Sequence, residues 1–323
     1  MANDYSRERL QGSVLSMLTF TNDDYSIDLE SQRKHVRWLI DQGMVEGECV
    51  HLIAGGAGET YMLEESEFQA LADLIIEEGK GVAPTMVMVS ELSARAAARK
   101  CKYAADAGID FVLLSPPHYS QPSEEDIFLH HKYVNDRVDI GIMTYNSFWV
   151  MPGGYSYSRG LFEKLAELNN VVGVKWTGSS TEDYLGFQQM FGDRFAMSEN
   201  RQFFGMGSRF GMTSRIDVMG NAAPRLSLYQ TKLAREGKYD QIDDLYRQLS
   251  FDPLYKRGRE PRSEKMVADG PHARMLLRLM GLETGPSFPG QHEPSRANMD
   301  FLRESLEISG VLEWVDWDQS ILS

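Results

Sequence analysis

Asn170-Val-Val-Gly-Val-Lys175-Trp-Thr-Gly-Ser179 is a short apolar run that ends on one lysine and is followed at once by a turn. Val171, Val172, Gly173 and Val174, bounded by Asn and Gly punctuation, read as a strand buried on both faces, the signature of a parallel sheet. An ammonium at the end of such a strand costs free energy unless it is paired or gives up its proton. A lysine that gives up its proton is a nucleophile toward carbonyl carbon. The plainer alternative, a snorkelling or salt-bridged lysine, stays open on this stretch alone.

Outward from that strand the same unit repeats. Upstream, Gly12 to Phe20, Glu48 to Ala54, Val82 to Val89, Asp110 to Ser115 and Asp139 to Tyr145 read as strands. Between them lie helical patterns: one capped by Asp28 and stopped at Gly43, one from Ser66 to about Glu78, one from Ser93 to Ala107 ended by Gly108, one opened by Pro122-Ser-Glu-Glu, and one from Ser158 to Leu168. Downstream, helix Thr181 to Phe191, strand Arg194 to Ser198, helix Gln202 to Phe210 and strand Thr213 to Met219 bring the strands to eight. Alternating strand and helix with no dinucleotide fingerprint predicts a (β/α)8 TIM barrel over residues 1–235, rather than a doubly wound open sheet. Beyond Pro224 only helical patterns remain (Tyr239–Leu249, His272–Met280, Ser295–Ile308), broken by the Pro/Gly-rich Gly281–Gly290. Residues 236–323 are therefore expected to form a C-terminal helical extension packed on the barrel or on a neighbour.

Composition narrows the class. A chain of 323 residues with 42% hydrophobic and 25% charged residues suits a soluble globular protein. No run has the length to span a bilayer and the N-terminus lacks a signal-peptide pattern, so a cytoplasmic protein without membrane contact is expected. The formal charge of -14 argues against nucleic acid as a partner and leaves an anionic substrate dependent on local donors. Cys49 and Cys101 belong to no ligand or redox spacing and read as buried free thiols. His51, His118, His130 and His131 form no ligand pattern, and no Walker loop or HExxH is present. Neither a metal nor a cofactor is expected.

In a barrel, side chains at strand C-termini and the loops after them build the site. Tyr145 ends strand five, one unit before Lys175, so the two should be neighbours at the roughly 5 Å strand spacing. Alternation puts Met143 and Tyr145, and Gly173 and Lys175, on the inward faces, with small Gly173 leaving room beneath the lysine. A phenol there can move a proton to and from a carbinolamine; a core tyrosine with a satisfied hydroxyl is the alternative. The loop Gly55-Gly-Ala-Gly58 offers backbone N–H groups in a tight curve, a nest for a carboxylate, or an ordinary turn. Ser115-Pro-Pro-His-Tyr119-Ser-Gln-Pro122 is a stiff loop with an aromatic tip, suited to an interface or simply to the surface.

Together these features resemble the Schiff-base-forming class I aldolases of the dihydrodipicolinate synthase and N-acetylneuraminate lyase family. The matching motifs are Gly55-Gly-Ala-Gly-Glu59, Pro117-His-Tyr119-Ser-Gln-Pro122, Tyr145-Asn146, Gly173-Val-Lys175, and Ile216-Asp-Val218 with Asn221 and Pro224. The resemblance covers about Gly12 to Pro224 and, more loosely, the tail. It implies that Lys175 forms an imine with a 2-keto acid, that Tyr145 shuttles the proton, and that Tyr119 reaches into a neighbouring subunit. It also implies that the backbone N–H groups at Gly56 and Ala57 hold the keto-acid carboxylate, that Thr177 and Glu199 face substrate, and that Ile216 lies on the last strand of the site. A homo-oligomer, dimer or tetramer, follows from the role of Tyr119.

The sequence departs from the synthases where substrate is chosen. Gly56 and Ala57 stand in place of hydroxyl residues, so the threonine of the synthase relay is absent. The Pro-Gly-Arg after strand five is replaced by Ser147-Phe-Trp149-Val-Met-Pro152-Gly-Gly154. These departures argue against dihydrodipicolinate synthase proper and for another lyase acting on a 2-keto acid, either an aldolase releasing or using pyruvate or an aldolase or dehydratase of a 2-keto-3-deoxy acid. Trp149 and Trp176 are expected to make the pocket mouth aromatic, and Arg201 is a candidate anion partner. Two other readings stand beside this one: a catalytically silent barrel acting as a binding or scaffold protein, and a phosphate-binding barrel relying on Arg215.

Overall fold

Eight parallel strands alternate with helices and close into a TIM barrel in the order β1 to β8. The computed structural model describes residues 7–147, 156–178, 180–200, 202–251 and 269–322. The strands are β1 Gly12–Ser16, β2 Cys49–Ile53, β3 Thr85–Val89, β4 Phe111–Leu114, β5 Gly141–Ser147, β6 Val171–Thr177, β7 Ala196–Glu199 and β8 Ser214–Asp217. The barrel helices are α1 Leu29–Asp41, α2 Glu65–Gly79, α3 Ala94–Ala107, α4 Glu124–Asn135, α5 Arg159–Ala166, α6 Thr181–Phe191, α7 Phe204–Arg209 and α8 Pro224–Arg235. Three more follow among the described residues: α9 Tyr239–Tyr246, α10 Asp269–Leu279 and α11 Arg296–Ser309.

Local chemistry explains where the helices begin. Asp28, Ser123, Ser158, Ser180 and Ser295 each accept a backbone N–H from the first turn that follows them. Pro224 occupies the first turn of α8, where its missing N–H is no loss. Ser93 holds the cap position of α3 without a side-chain bond. Strands are shorter than the apolar runs that announce them. Met17, Leu18 and Phe20 are buried beyond the end of β1, because an apolar run records burial and not ladder pairing.

Two apolar layers result from strand alternation. Leu10, Val14, Val50, Leu52, Met86, Met88, Phe111, Leu113, Met143, Tyr145 and Ala196 fill the barrel interior. The opposite faces pack under the helices. The alternation is broken once, between β5 and β6: Ile142 pairs with Val171 and Met143 with Gly173, leaving Val172 as the extra residue of a bulge. The bulge lets Val171 pack outward while Gly173, Lys175 and Thr177 face in. The room expected beneath the lysine is taken, since a Cβ on Gly173 would lie 2.9 Å from Leu10 Cδ1 and 3.4 Å from Met143 Cε. Leu10 plugs the barrel floor from the segment before β1.

The tail folds back on the barrel. Trp317 meets Trp38 of α1 edge-on at 4.9 Å between ring centres, and the N–H groups of Asp316 and Trp317 donate to the Ala222 carbonyl. Among the described residues no helix is long and apolar enough to cross a membrane, and no group of three His, Cys, Asp or Glu could hold a metal ion. Cys49 and Cys101 are both free and buried.

Candidate active site

The pairing register assembles the site. Tyr145 on β5 is the direct partner of Lys175 on β6, and Lys175 is the partner of Ser198 on β7. Paired residues of parallel strands point the same way, so a phenol and a hydroxyl flank the lysine on the inward face. Lys175 is 6% exposed, and its Nζ lies 4.0 Å from the centre of the Tyr145 ring, over the face where an ammonium is attracted by the π electrons. No carboxylate among the described residues lies within 4.0 Å of that amine, which separates it from Lys100, paired with Glu91 at 2.6 Å.

One pleat nearer the mouth, Ser147 pairs with Thr177. Thr177 is buried and donates its hydroxyl to the Asn146 carbonyl at 2.8 Å, which ties the two strand ends together. Asn146 faces away from Lys175, and its Oδ1 accepts from Tyr157 N at 3.0 Å and Ser156 Oγ at 3.2 Å. Ser147 and Ser198 are fully buried hydroxyls with no hydrogen-bond partner among the described residues. A buried hydroxyl left unpartnered costs free energy, and such groups concentrate where a ligand completes them. Both escaped the sequence reading; the signal available was their even spacing from Tyr145 and from Ala196.

The Gly55-Gly-Ala-Gly58 loop curves between two left-handed residues, Ala54 at φ 49° and Glu59 at φ 59°. Left-handed backbone at non-glycine positions is strained and persists only where the surroundings impose it. Thr19 donates to the Gly58 carbonyl at 2.6 Å, Glu59 N to Gly56 O at 3.0 Å and Thr60 N to Gly55 O at 3.1 Å. No acceptor among the described residues takes the N–H of Gly56 or Ala57. Those two donors are left unbonded side by side in a tight backbone curve at the C-terminal face of the barrel, the kind of curve in which backbone N–H groups can take an anion.

Ile216 lies on the inward face of β8, opposite Val14. Tyr119 stands at the tip of the loop after β4 and is 84% exposed. Glu199 corrects its expectation. It pairs with Arg215 and with Trp176, one residue out of phase with Lys175 and Ser198, so alternation turns it to the outer side of the barrel. There it lines a cavity of about 240 Å³ with Arg215, Asp217, Gln230 and Tyr246, which Ile216 of β8 also borders. Arg215 bridges Asp217 at 3.1 Å, and the arginine, with hydroxyls from Ser13 and Ser227, holds the Asp217 carboxyl below its ordinary range against the opposing effect of burial. That cluster belongs to the barrel wall. Trp176 is likewise corrected: it is buried on the outer face beside Tyr184 and Phe187, not at the mouth. Trp149 and Arg201 lie outside the described residues.

Four buried histidines, His35, His51, His130 and His131, belong to the packing of the barrel and its helices. His131 Nδ1–H donates to the Ile127 carbonyl and its Nε2 accepts from Thr144, both at 2.8 Å. Burial pushes His35, His51 and His131 down to about 4 and His130 to about 3, so all four are neutral near pH 7.

The chain is similar to known proteins over most of its length. Residues 9–257 match the model of the dihydrodipicolinate synthetase family. The 4-hydroxy-tetrahydrodipicolinate synthase of Methylobacterium radiotolerans is 30% identical over 235 residues, 72% of this chain and 75% of that protein. Among solved structures, a chloride-inhibited dihydrodipicolinate synthase from Acinetobacter baumannii complexed with pyruvate superposes with a TM-score of 0.79 at 23% identity, over 94% of this chain and 99% of that one. A catalytic-lysine mutant of Ruminococcus gnavus sialic acid aldolase superposes with a TM-score of 0.78 at 16% identity, over 95% and 97% of the two chains. At those identities the two structures speak for the fold alone. With the family model spanning most of the chain and an inward lysine paired to a tyrosine at the strand ends, this chain belongs to the dihydrodipicolinate synthetase family.

Proposed function

We propose that the protein is a Schiff-base lyase that acts on a 2-keto acid through an imine on Lys175. The observation that carries the reading is the buried Lys175 amine, packed over the Tyr145 ring and paired with no carboxylate among the described residues. A merely structural lysine at a buried strand end would be expected to hold a counter-ion, as Lys100 does.

In this reading the neutral amine attacks the C2 carbonyl of the keto acid and forms a carbinolamine. Tyr145 carries the proton to the departing hydroxyl, water leaves, and a protonated imine remains. That imine withdraws electrons, so loss of a C3 proton or cleavage of the C3–C4 bond gives an enamine. The N–H groups of Gly56 and Ala57 hold the substrate carboxylate, Thr177 lies at the substrate-facing rim, and Tyr119 serves a neighbouring subunit of a dimer or tetramer. Absence of the Pro-Gly-Arg after strand five, together with the lost hydroxyl side chains at Gly56 and Ala57, argues against the synthase reaction and leaves a pyruvate-type aldolase or a 2-keto-3-deoxy acid aldolase or dehydratase.

Borohydride reduction in the presence of pyruvate tests the reading. A covalent pyruvyl adduct on the peptide containing Lys175, absent from Lys175→Ala, is the expected result. Absence of adduct from the folded parent would refute imine chemistry and leave a binding barrel.

A further inference from the structure

Glu59 follows the Gly55-Gly-Ala-Gly58 loop at once, and its carboxylate is wholly buried. Its backbone is left-handed, φ 59° and ψ 39°, a conformation that an isolated glutamate disfavours. What holds it lies more than two hundred residues away. Arg274 of α10, 2% exposed, donates Nε to Glu59 Oε2 at 2.8 Å and brings Nη2 within 2.6 Å of the same oxygen, at an angle too bent for a hydrogen bond. Arg274 is itself held, with Nη1 donating to the Thr284 carbonyl at 3.0 Å and its hydroxyl at 3.1 Å. Gln291 donates to the other carboxylate oxygen, Oε1. Gly270, at the start of α10, lies so close that a Cβ there would overlap the Glu59 side chain, and Asp269 Oδ2 lies 3.3 Å from where a Gly56 side chain would begin.

We infer that Arg274 is a positioning residue for the substrate carboxylate: acting through Glu59, it sets the loop that carries the unbonded N–H groups of Gly56 and Ala57. The inference rests on the keto-acid reading given above. It assigns the C-terminal extension a part in the site, with α10 and the Gly281–Gly290 segment clamping the loop from outside the barrel. The clamp keeps the donors in one arrangement, and small misplacements of positioning groups are costly.

Borohydride trapping over a pyruvate series, with hydrogen exchange of the peptide spanning 52–63, tests it. In Arg274→Met and Glu59→Gln the pyruvate concentration for half-maximal trapping should rise about tenfold or more. The limiting extent of adduct should be unchanged and the loop amides should exchange faster. Arg274→Lys, which keeps the charge but not the fork, should recover part of the loss. Folded variants whose half-maximal pyruvate stays within about twofold of the parent would overturn the inference, since the change is then below what positioning demands. Should Arg274→Met fail to fold, Glu59→Gln keeps the shape of the side chain and removes the charge that the guanidinium holds; an unaltered half-maximum there overturns the inference equally. A parent that traps nothing would count against the lysine reading, and unchanged loop exchange in Arg274→Met would then count separately against the clamp.

Discussion

Lys175 and Tyr145 are register partners on adjacent strands, and the amine of one lies 4.0 Å from the ring centre of the other. Contact of that kind keeps the amine over a π face while leaving its lone pair free for a carbonyl once the proton has gone. It also fixes what the phenol can reach, since the hydroxyl sits at the ring edge away from the strand.

Removing that hydroxyl separates packing from proton transfer. Tyr145→Phe keeps the ring under the amine, so the fold and the melting temperature should hardly change. Turnover and the rate of trapping should fall by about 10²–10⁴, the range for a general acid–base group. Stopped-time trapping with mass readout measures it, and a rate equal to the parent's would remove Tyr145 from the proton path.

Ser198 offers a trade of stability against function. Its hydroxyl is buried without a partner among the described residues, beside Lys175 in the register. Ser198→Ala should stabilise the unliganded protein by about 1 kcal/mol, the lower end of the penalty for an unsatisfied buried group, and slow adduct formation. Calorimetry and trapping on the same sample decide; a lower melting temperature with unchanged trapping would mark the hydroxyl as purely structural.

Gly173 and Leu10 should be energetically coupled. A methyl group on Gly173 meets Leu10 Cδ1 at 2.9 Å and the Ala196 carbonyl at 3.3 Å. Gly173→Ala should cost about 1–3 kcal/mol by overpacking. Leu10→Ala should cost about 2–5 kcal/mol through the cavity it leaves. The double variant should cost less than the sum, and additivity in a denaturant-melt cycle would show that the two do not compete for one space.

Stability should fall as pH drops below neutrality. His35, His51 and His131 titrate near 4 in the folded state, His130 near 3, and all near 6.5 when unfolded. Between those values the unfolded chain binds protons that the native one refuses, so stability present above about pH 6.5 drains away as pH falls toward 4. Each histidine contributes on the order of 3 kcal/mol at full effect. Melts at about pH 7.5, 6, 5 and 4.5 measure the slope, and His131→Gln should make it shallower. An equal slope would assign acid sensitivity to other groups.

The strand-ending lysine, the repeat of eight units and the helical tail could all be read from residues in order, because burial periodicity, caps and breakers are local properties of the chain. Tyr145 and Lys175 could be placed together for the same reason: in a parallel barrel, consecutive strand ends are neighbours. Glu199 and Trp176 were misread because each sits one residue from the inward phase, and the face a residue takes at a strand end depends on register and on bulges such as the one at Val172. The emptiness expected under Gly173 was filled by Leu10, which no local pattern connects to β6.

By itself the sequence determined the barrel, the lysine at its mouth and the family motifs. Only the tertiary structure decided which hydroxyls stand beside that lysine, which acids turn away from it, and that Arg274 closes on Glu59. The physical reason is range. Propensity and alternation act within a few residues, whereas desolvation and ion pairing are settled by whatever the folded chain brings to the same few ångströms.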